Sequence, residues 1–563
     1  MSLFAFRTVL LAFTFVFASG SVTPVQAAPQ EIPGPRAGKW AHEYTTLAPD
    51  PRVIWGRLDN GVRYALLPHS GVPGSVAMRL VMLSGSIDET DTERGMAHFV
   101  EHMVFRGTRR FKYEEMVGFF QKLGMEYGSD VNAVTTFDYT AYMLDYRDNN
   151  PALLHQGLML LRDFTDSAEF DEGYIDHERG VILSEMRLRT GGLSGQNMAS
   201  HLSLVYRGYK VQDRAPGGVP EQIRSFSRAQ FLEFYRRCYR PDLAVVVVVG
   251  DFDVAAVTGL IGTEFGAIPA RTDPIPARDE GRGDTRKALR AAVLPISDVG
   301  GILVSAASVT RSPARPDSME RVIERQRREF VTGLLTDRVK QTLPGGAGAE
   351  YDALIGLDTA EVRAQAPAGD WDATVTSLDE IVRATYERGF TEREIGQLKR
   401  HYRMLSSFML EQAPTMDPAG LASSLVDSIT KHTVYIGFEE TWRTYFDWVG
   451  RLTPQELLTA YRNCWDLDRM AFHIVGEVEV KGGESAVLKR IAAVRKGKMR
   501  TLRIEARDES VFTLLKWGTP TRVVERSEVP ELEAKMYRFG NNVRVNHIQR
   551  RNEPGMVMAV VRV

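Results

Sequence analysis

The sequence predicts an α+β protein built from tandem homologous α/β sandwich domains. Two observations predict this class: strands and helices lead up to a buried strand that ends at Gly250, and a later part of the chain repeats that pattern. The length of 563 residues agrees with it. One hydrophobic core stops growing near ~250–300 residues, so we expect at least two domains.

The elements of the first domain are predicted from local patterns. "SVAMRLVMLSG" (Ser75–Gly85) is an apolar strand, and "VNAVTTFDYTAYMLDY", which starts at Val131, reads as two strands joined by a turn. Apolar residues at helical spacing predict four helices, which are Gly95–Phe105, Tyr113–Lys122, Pro151–Ser167 and Asp171–Arg189. This order of elements is typical of a sheet covered by helices.

The repeat is visible at the end of that domain. "FYRRCYRPDLAVVVVVGDFDV" begins at Phe234, and "AYRNCWDLDRMAFHIVGEVEV" follows at a constant shift of 226. Any helix, turn and buried strand would look similar, but four identities without a gap favour a duplication. The shift aligns Cys238 with Cys464 in two different domains. An exported protein could pair its cysteines, but from this alignment we expect free, buried thiols.

A second echo predicts the start of a third copy. "LDNGVRYALLPHSGVPGSVAMRLVM" begins at Leu58, and "FGNNVRVNHIQRRNEPGMVMAVVRV" begins at Phe539, a shift of 481. Both read as strand, turn and strand. A lone hairpin cannot bury its own face, so we expect a further C-terminal half, on the same gene or on a separate chain.

The repeats divide the chain into segments. Residues 43–269 form the first domain, and Pro269–Asp284, rich in Pro, Arg and Asp, is a linker. Residues 285–481 form the second domain, 482–535 connect the two halves, and 536–563 are the incomplete third copy.

Composition and the N-terminus predict an exported protein. The 70 basic and 72 acidic residues nearly cancel, so no nucleic-acid partner is indicated. One positive charge, an apolar run from Val9 to Ala18 and small residues around Ala27 predict a signal peptide over residues 1–27. The alternative is a membrane anchor, but the run is about half the ~20 residues that span a bilayer. We expect a periplasmic or secreted protein with no membrane attachment after cleavage.

The segment "GMAHFVEHMVFRGTRRF", which begins at Gly95, contains candidate metal-binding residues. On a helix, His98 and His102 lie one turn apart on one face, where two neutral imidazoles can bind one Zn²⁺. Glu101 shares that face and could reach a water beside the metal. A catalytic zinc site has three protein ligands, so a third must come from elsewhere. The alternative is a solvated helix with two spare histidines.

A candidate partner lies downstream in "YIDHERGVILSEMRLR". Glu178 and Glu185 are seven residues apart on a predicted helix and share one face. Apolar neighbours indicate that this helix is largely buried, and a glutamate pair on such a helix needs a partner. A zinc ion with its histidines would supply one.

These residues resemble the pitrilysin/insulysin family of zinc metallopeptidases, the inverzincins, which also includes mitochondrial processing peptidase. The H-x-x-E-H motif, both glutamates and "NAVT" (Asn132–Thr135) carry the resemblance, which is strongest to long exported bacterial members. It implies one Zn²⁺ per chain. His98, His102 and Glu178 would be its ligands, Glu101 the general base, and Glu185 a support for a ligand histidine. Asn132 and Ala133 would lie on an edge strand that pairs with substrate.

The resemblance implies a zinc metalloendopeptidase that hydrolyses extended or unfolded peptides. The first domain would be catalytic and the second non-catalytic, since the 226 shift places Glu324, Arg328 and Met404 at the ligand positions. The family's second half contributes an Arg and a Tyr near the substrate. The alternatives are a non-catalytic family member and a peptide-binding subunit that needs a partner half for activity.

Overall fold

The computed structural model describes residues 32–190, 193–312, 314–343, 345–499, 521–530 and 533–548. The predicted signal peptide and residues 549–563 of the predicted third copy lie outside these ranges. No helix in the described part of the chain is long and apolar enough to cross a bilayer.

A six-stranded sheet forms the first unit. Its strands are β1 (Ile54–Arg57), β2 (Arg63–Pro68), β3 (Val76–Met82), β4 (Val131–Thr135), β5 (Thr140–Tyr146) and β6 (Ala244–Gly250). They lie in the order β1-β2-β6-β3-β5-β4, and only the β2–β6 pair is parallel. The valine run of β6 is buried because the strand lies inside the sheet with both faces covered.

Eight helices accompany this sheet in the sequence. They are α1 (Met96–Val104), α2 (Tyr113–Lys122), α3 (Pro151–Asp166), α4 (Glu172–Thr190), α5 (Leu193–Val205), α6 (Pro220–Ser225), α7 (Arg228–Cys238) and α8 (Val254–Gly266). The predictions for α1 to α4 and for the strands of the β4–β5 hairpin agree with these bounds within two residues.

A five-stranded sheet forms the second unit. Its strands are β7 (Arg290–Pro295), β8 (Ile302–Arg311), β9 (Ala347–Leu354), β10 (Leu357–Ala366) and β11 (Ala471–Gly476), in the order β7-β11-β8-β10-β9. Its helices are α9 (Met319–Thr342), α10 (Trp371–Arg388), α11 (Glu392–Gln412), α12 (Pro418–Thr430), α13 (Phe438–Val449), α14 (Pro454–Cys464) and α15 (Gly483–Lys496).

The strand order repeats between the two sheets. Counted from β2 and from β7, both sheets have the same sequence of neighbours, which confirms the predicted tandem sandwich fold. The equivalent strands β6 and β11 both end in a glycine, and a Cβ on Gly250 or Gly476 would meet a carbonyl oxygen of the adjacent segment at 2.2 Å. Cys238 and Cys464 end equivalent helices, and both thiols are free and buried, as predicted.

Each of the two sheets packs against one helix that belongs, in sequence, to the other unit. Helix α5 packs on the second sheet, where Leu202, Val205 and Tyr206 join an apolar cluster with strand residues of β8, β10 and β11. Helix α12 packs on β3 and β6, and Leu421, Leu425 and Ile429 belong to the first core. The sequence placed α12 in the second domain. The shift of 226 relates α5 to α12, so the exchange is reciprocal.

The chain beyond the second sheet carries more structure than the sequence predicted. Residues 482–535 were expected to be a connecting segment, but α15 buries Val487 and Ile491 in the second core. A separate three-stranded sheet follows, with β12 (Val523–Val529), β13 (Ala534–Phe539) and β14 (Arg544–Ile548) in that order. The predicted domain boundaries remain predictions.

Candidate metal centre

Backbone contacts fix the N-terminus of helix α1, and they thereby orient the predicted site residues that follow on this helix. The Glu89 carboxylate accepts hydrogen bonds from the backbone N–H of Gly95 at 3.1 Å and from a second N–H of the first turn at 2.9 Å. Gly95 has φ 99°, and a Cβ there would lie 2.9 Å from Gly218 Cα. Only glycine fits, and His98 and His102 follow on one face of α1.

The structure brings His98, His102 and Glu185 together. One potential ligand atom from each lies within 4.8 Å of the others. Glu185 Oε2 is 3.5 Å from His102 Nε2 and 3.8 Å from His98 Nε2. Ligand atoms around a tetrahedral zinc with bonds of ~2.0–2.1 Å lie about 3.3 Å apart, so the two imidazoles and one carboxylate fit this ion. Among the described residues, no other such group was found.

Glu178 contacts His102 on the side of the imidazole away from Glu185, and its carboxylate also contacts two other side chains. Its side chain is 1% exposed. Its Oε2 accepts from His102 Nδ1 at 3.1 Å, while Oε1 pairs with Arg106 at 2.5 Å and with His177 Nδ1 at 3.0 Å. A carboxylate on one imidazole nitrogen leaves the other nitrogen directed at the metal position. Burial lowers the pKa of His102, but hydrogen bonds to Glu178 and Glu185 outweigh it and raise the pKa to about 9.

The contacts of the two glutamates favour the reverse of the predicted assignment. The sequence predicted Glu178 as the third ligand and Glu185 as the supporting residue. In the structure Glu185 joins His98 and His102, and Glu178 supports His102 from the far side. Both glutamates are on one face of α4, seven residues apart, so their spacing alone could not rank them.

The predicted base lies against the predicted substrate strand. The Thr135 hydroxyl, at the end of β4, donates a hydrogen bond to Glu101 Oε2 at 2.5 Å. Glu101 is 8% exposed. Strand β4 is the edge of the first sheet, with β5 as its neighbour. On it, Asn132 is exposed and Ala133 half-buried, and Asn132 Oδ1 accepts from the Ala133 N–H at 2.9 Å.

Three residues of this site were not predicted for it. Arg106 lies in the turn just after α1, four residues beyond His102, a spacing that could have identified it as a partner for a nearby carboxylate. Thr135 is the last residue of the "NAVT" motif, but its contact with Glu101 depends on how the sheet and α1 pack. His177 has a side chain that is 64% exposed, and it donates to Glu178.

The second unit has no equivalent cluster among the described residues. At the positions related to His98 and His102, Glu324 and Arg328 form an ion pair of 2.8 Å, and Arg328 also pairs with Asp358 at 3.0 Å. Met404 is largely exposed.

Two parts of the chain match described peptidase domains. Residues 64–189 match the family "Insulinase (Peptidase family M16)", and residues 225–402 match "Peptidase M16 inactive domain". The chain belongs to peptidase family M16. The first match contains the whole candidate metal centre, and the second includes most of the unit without a cluster.

Individual M16 relatives agree with this assignment. The chain is 26% identical over 420 residues to "Probable zinc protease PqqL" of Escherichia coli, which covers 73% of this chain and 45% of that protein. It is 34% identical over 236 residues to "Zinc protease PQQL-like" of Arabidopsis thaliana, over 40% of this chain and 25% of that protein. The chain thus spans about half the length, or less, of these curated M16 relatives.

Solved structures share the M16 fold. The crystal structure of the periplasmic protease PqqL from Escherichia coli aligns with a TM-score of 0.70 and 22% identity, over 90% of this chain and 57% of that one. The structure of the first half of the same protease aligns with a TM-score of 0.69 and 23% identity, over 81% of this chain and 99% of that one. The family and these relatives support a peptidase-type function.

Proposed function

We propose that this chain is the zinc-binding half of an exported M16 metalloendopeptidase that hydrolyses extended or unfolded peptides. The observation that carries the proposal is the convergence of His98, His102 and Glu185 on one point. The predicted base, Glu101, lies on the same helical turn as both histidines.

His98, His102 and Glu185 would hold one zinc ion and leave room for a solvent molecule. When bound, zinc supplies Lewis-acid chemistry, which polarises a carbonyl and lowers the pKa of a water molecule to about 7. The buried contact between Glu178 and His102 Nδ1 supports this assignment, because it fixes the imidazole with Nε2 toward the ion.

Glu101 acts as general acid and base in the proposed reaction. Its carboxylate takes a proton from the attacking water and later gives it to the leaving amine. The hydrogen bond from Thr135 occupies one oxygen, Oε2, and restricts the rotation of the carboxylate.

The substrate would add to the first sheet as one more strand. β4 is an edge strand and ends at the residue that contacts Glu101, so a peptide paired along Asn132–Thr135 would pass beside the base. Recognition through backbone hydrogen bonds predicts loose sequence preference and a requirement for extended peptide.

The partner and the location are parts of the same proposal. We propose that a second half, on the same gene or a separate chain, supplies further substrate contacts. The length of the curated relatives supports this. The predicted signal peptide supports export to the periplasm. The competing function is a peptide-binding subunit without chemistry, which would use the edge strand β4 alone.

The deciding experiment compares Glu101→Gln with the unchanged chain. Zinc content is measured by mass spectrometry, and hydrolysis is followed with a quenched fluorescent peptide. We expect both proteins to bind one zinc per chain and only the unchanged chain to cleave. Glu172→Gln, an exposed glutamate at the start of α4, is the matched control and should behave like the unchanged chain.

Two results would contradict the proposal. A cleavage rate in Glu101→Gln equal to that of the control would remove the base assignment. An unchanged chain that binds peptide but takes up no zinc would instead establish the peptide-binding function.

A further inference from the structure

A small cavity far along the sequence from the metal centre is lined by polar groups without partners. It lies between residues 39–42, strands β1 and β2, and residues 428–435 that end and follow α12. It has about 270 Å³ of empty space, including space open to solvent, and its enclosed part has room for about one water-sized group.

Three buried polar atoms on residues lining this cavity have no hydrogen-bond partner. They are Trp55 Nε1, Arg63 Nε and His432 Nε2. The buried Tyr435 hydroxyl accepts from the Phe438 N–H and keeps its own proton to donate. An indole N–H and a guanidinium N–H can only donate, and the imidazole can also donate. Buried donors left unsatisfied cost free energy, so these groups around one cavity indicate an occupant that accepts hydrogen bonds.

The charge of the lining distinguishes between the two possible occupants, a water molecule and an anion. Arg63 is 1% exposed, and its guanidinium donates to two backbone carbonyls, at 2.8 and 3.3 Å. Among the described residues, no ion pair joins it to a carboxylate, and the lining includes Lys39 but no acidic residue. The nearby Glu43 is paired with Arg57 at 3.0 Å. A water molecule would satisfy hydrogen bonds but leave the buried positive charge with only the carboxylates of Glu43 and Asp242, beyond ion-pair distance, to offset it.

We propose that this cavity binds a small monovalent anion of about the size of chloride. The ring of Trp40 lies 5.1 Å from the Arg63 guanidinium and 4.7 Å from the ring of Trp55, so aromatic walls close the site around the charge. The lining comes from the N-terminal segment, the first sheet and the segment after α12. An anion here would hold residues 428–435, at the end of α12 and just after it, against the first unit.

The test measures thermal unfolding of the full chain in sodium chloride and in sodium gluconate at equal ionic strength. We expect chloride to raise Tm by roughly 2–4 °C, with saturation. Tyr435→Phe removes the hydroxyl and keeps the ring, and Trp55→Phe removes the indole N–H and leaves a smaller aromatic ring. Each should reduce the shift by at least half. Trp442→Phe, on α13 and outside the cavity lining, is the matched control and should keep the full shift.

A second measurement does not depend on variants. Crystals grown in sodium bromide should show an anomalous difference peak in the cavity. The proposal is overturned if that position is empty or holds only water. It is also overturned if the chloride response is unsaturated and equal in the unchanged chain and both donor variants, as expected for a general salt effect.

Discussion

Replacing Glu178 and Glu185 in turn separates their roles, because the structure gives them different surroundings. The Glu178 carboxylate is 1% exposed and contacts His102 and Arg106. In Glu178→Gln the Arg106 guanidinium, 19% exposed, loses its counter-charge. Loss of one partner from a buried pair costs about 3–5 kcal/mol, and the partial exposure of Arg106 places the expected loss near about 3 kcal/mol. Zinc affinity should fall about 10–100-fold, because His102 is no longer held by a carboxylate.

Glu185→Gln should have a small effect on stability and a large effect on zinc affinity. The Glu185 side chain is 26% exposed, so the unfolding free energy of the zinc-free protein should change by less than about 1 kcal/mol. Zinc affinity should fall more than about 100-fold, because the proposed third ligand is lost.

Two assays measure these effects separately. Urea unfolding in the presence of a chelator gives the stability of the zinc-free protein, and competition with a chromophoric chelator gives the zinc affinity. The proposed exchange of roles is refuted if Glu178→Gln abolishes stoichiometric zinc binding while Glu185→Gln retains it.

Three further predictions follow from other contacts. Thr135→Val should lower kcat about 10-fold with unchanged zinc content and KM, because Glu101 loses its orienting hydrogen bond, and Thr135→Ser should restore the rate. Burial lowers the pKa of His473 to about 4, below the ~6.5 of the unfolded chain. Stability should therefore fall by about 2 kcal/mol from this residue between pH 7 and 5, and urea unfolding of His473→Gln should show a smaller loss. Burial raises the pKa of Cys238 and of Cys464 to about 12, so a thiol reagent at pH 8 should label neither until the protein unfolds.

Much of the site was predictable because it is local in the sequence. His98, Glu101 and His102 lie within five residues of one helix, and helical geometry alone places them on one face. The third ligand that we propose, Glu185, was not predictable in this way. This assignment depends on where α4 crosses α1 and on Arg106, which pairs with the more buried glutamate and leaves the other facing the histidines.

The fold followed the same division between local and long-range information. Periodicity predicted α1 to α4, and the repeat predicted two similar sheets. Periodicity shows that a helix such as α12 has an apolar face, but it does not show which sheet covers that face. Leu421 and Leu425 pack on the first sheet because the chain crosses back, a contact between residues far apart in sequence.

The reciprocal placement of α5 and α12 makes the two units interdependent. Proteolytic cleavage within residues 269–284 would leave the fragments clasped together, since each fragment retains a helix seated on its neighbour. Neither fragment expressed alone could cover its own sheet, and each would expose an apolar surface that promotes aggregation. The pair is therefore the smallest piece of this chain that a protein engineer could transplant or replace intact.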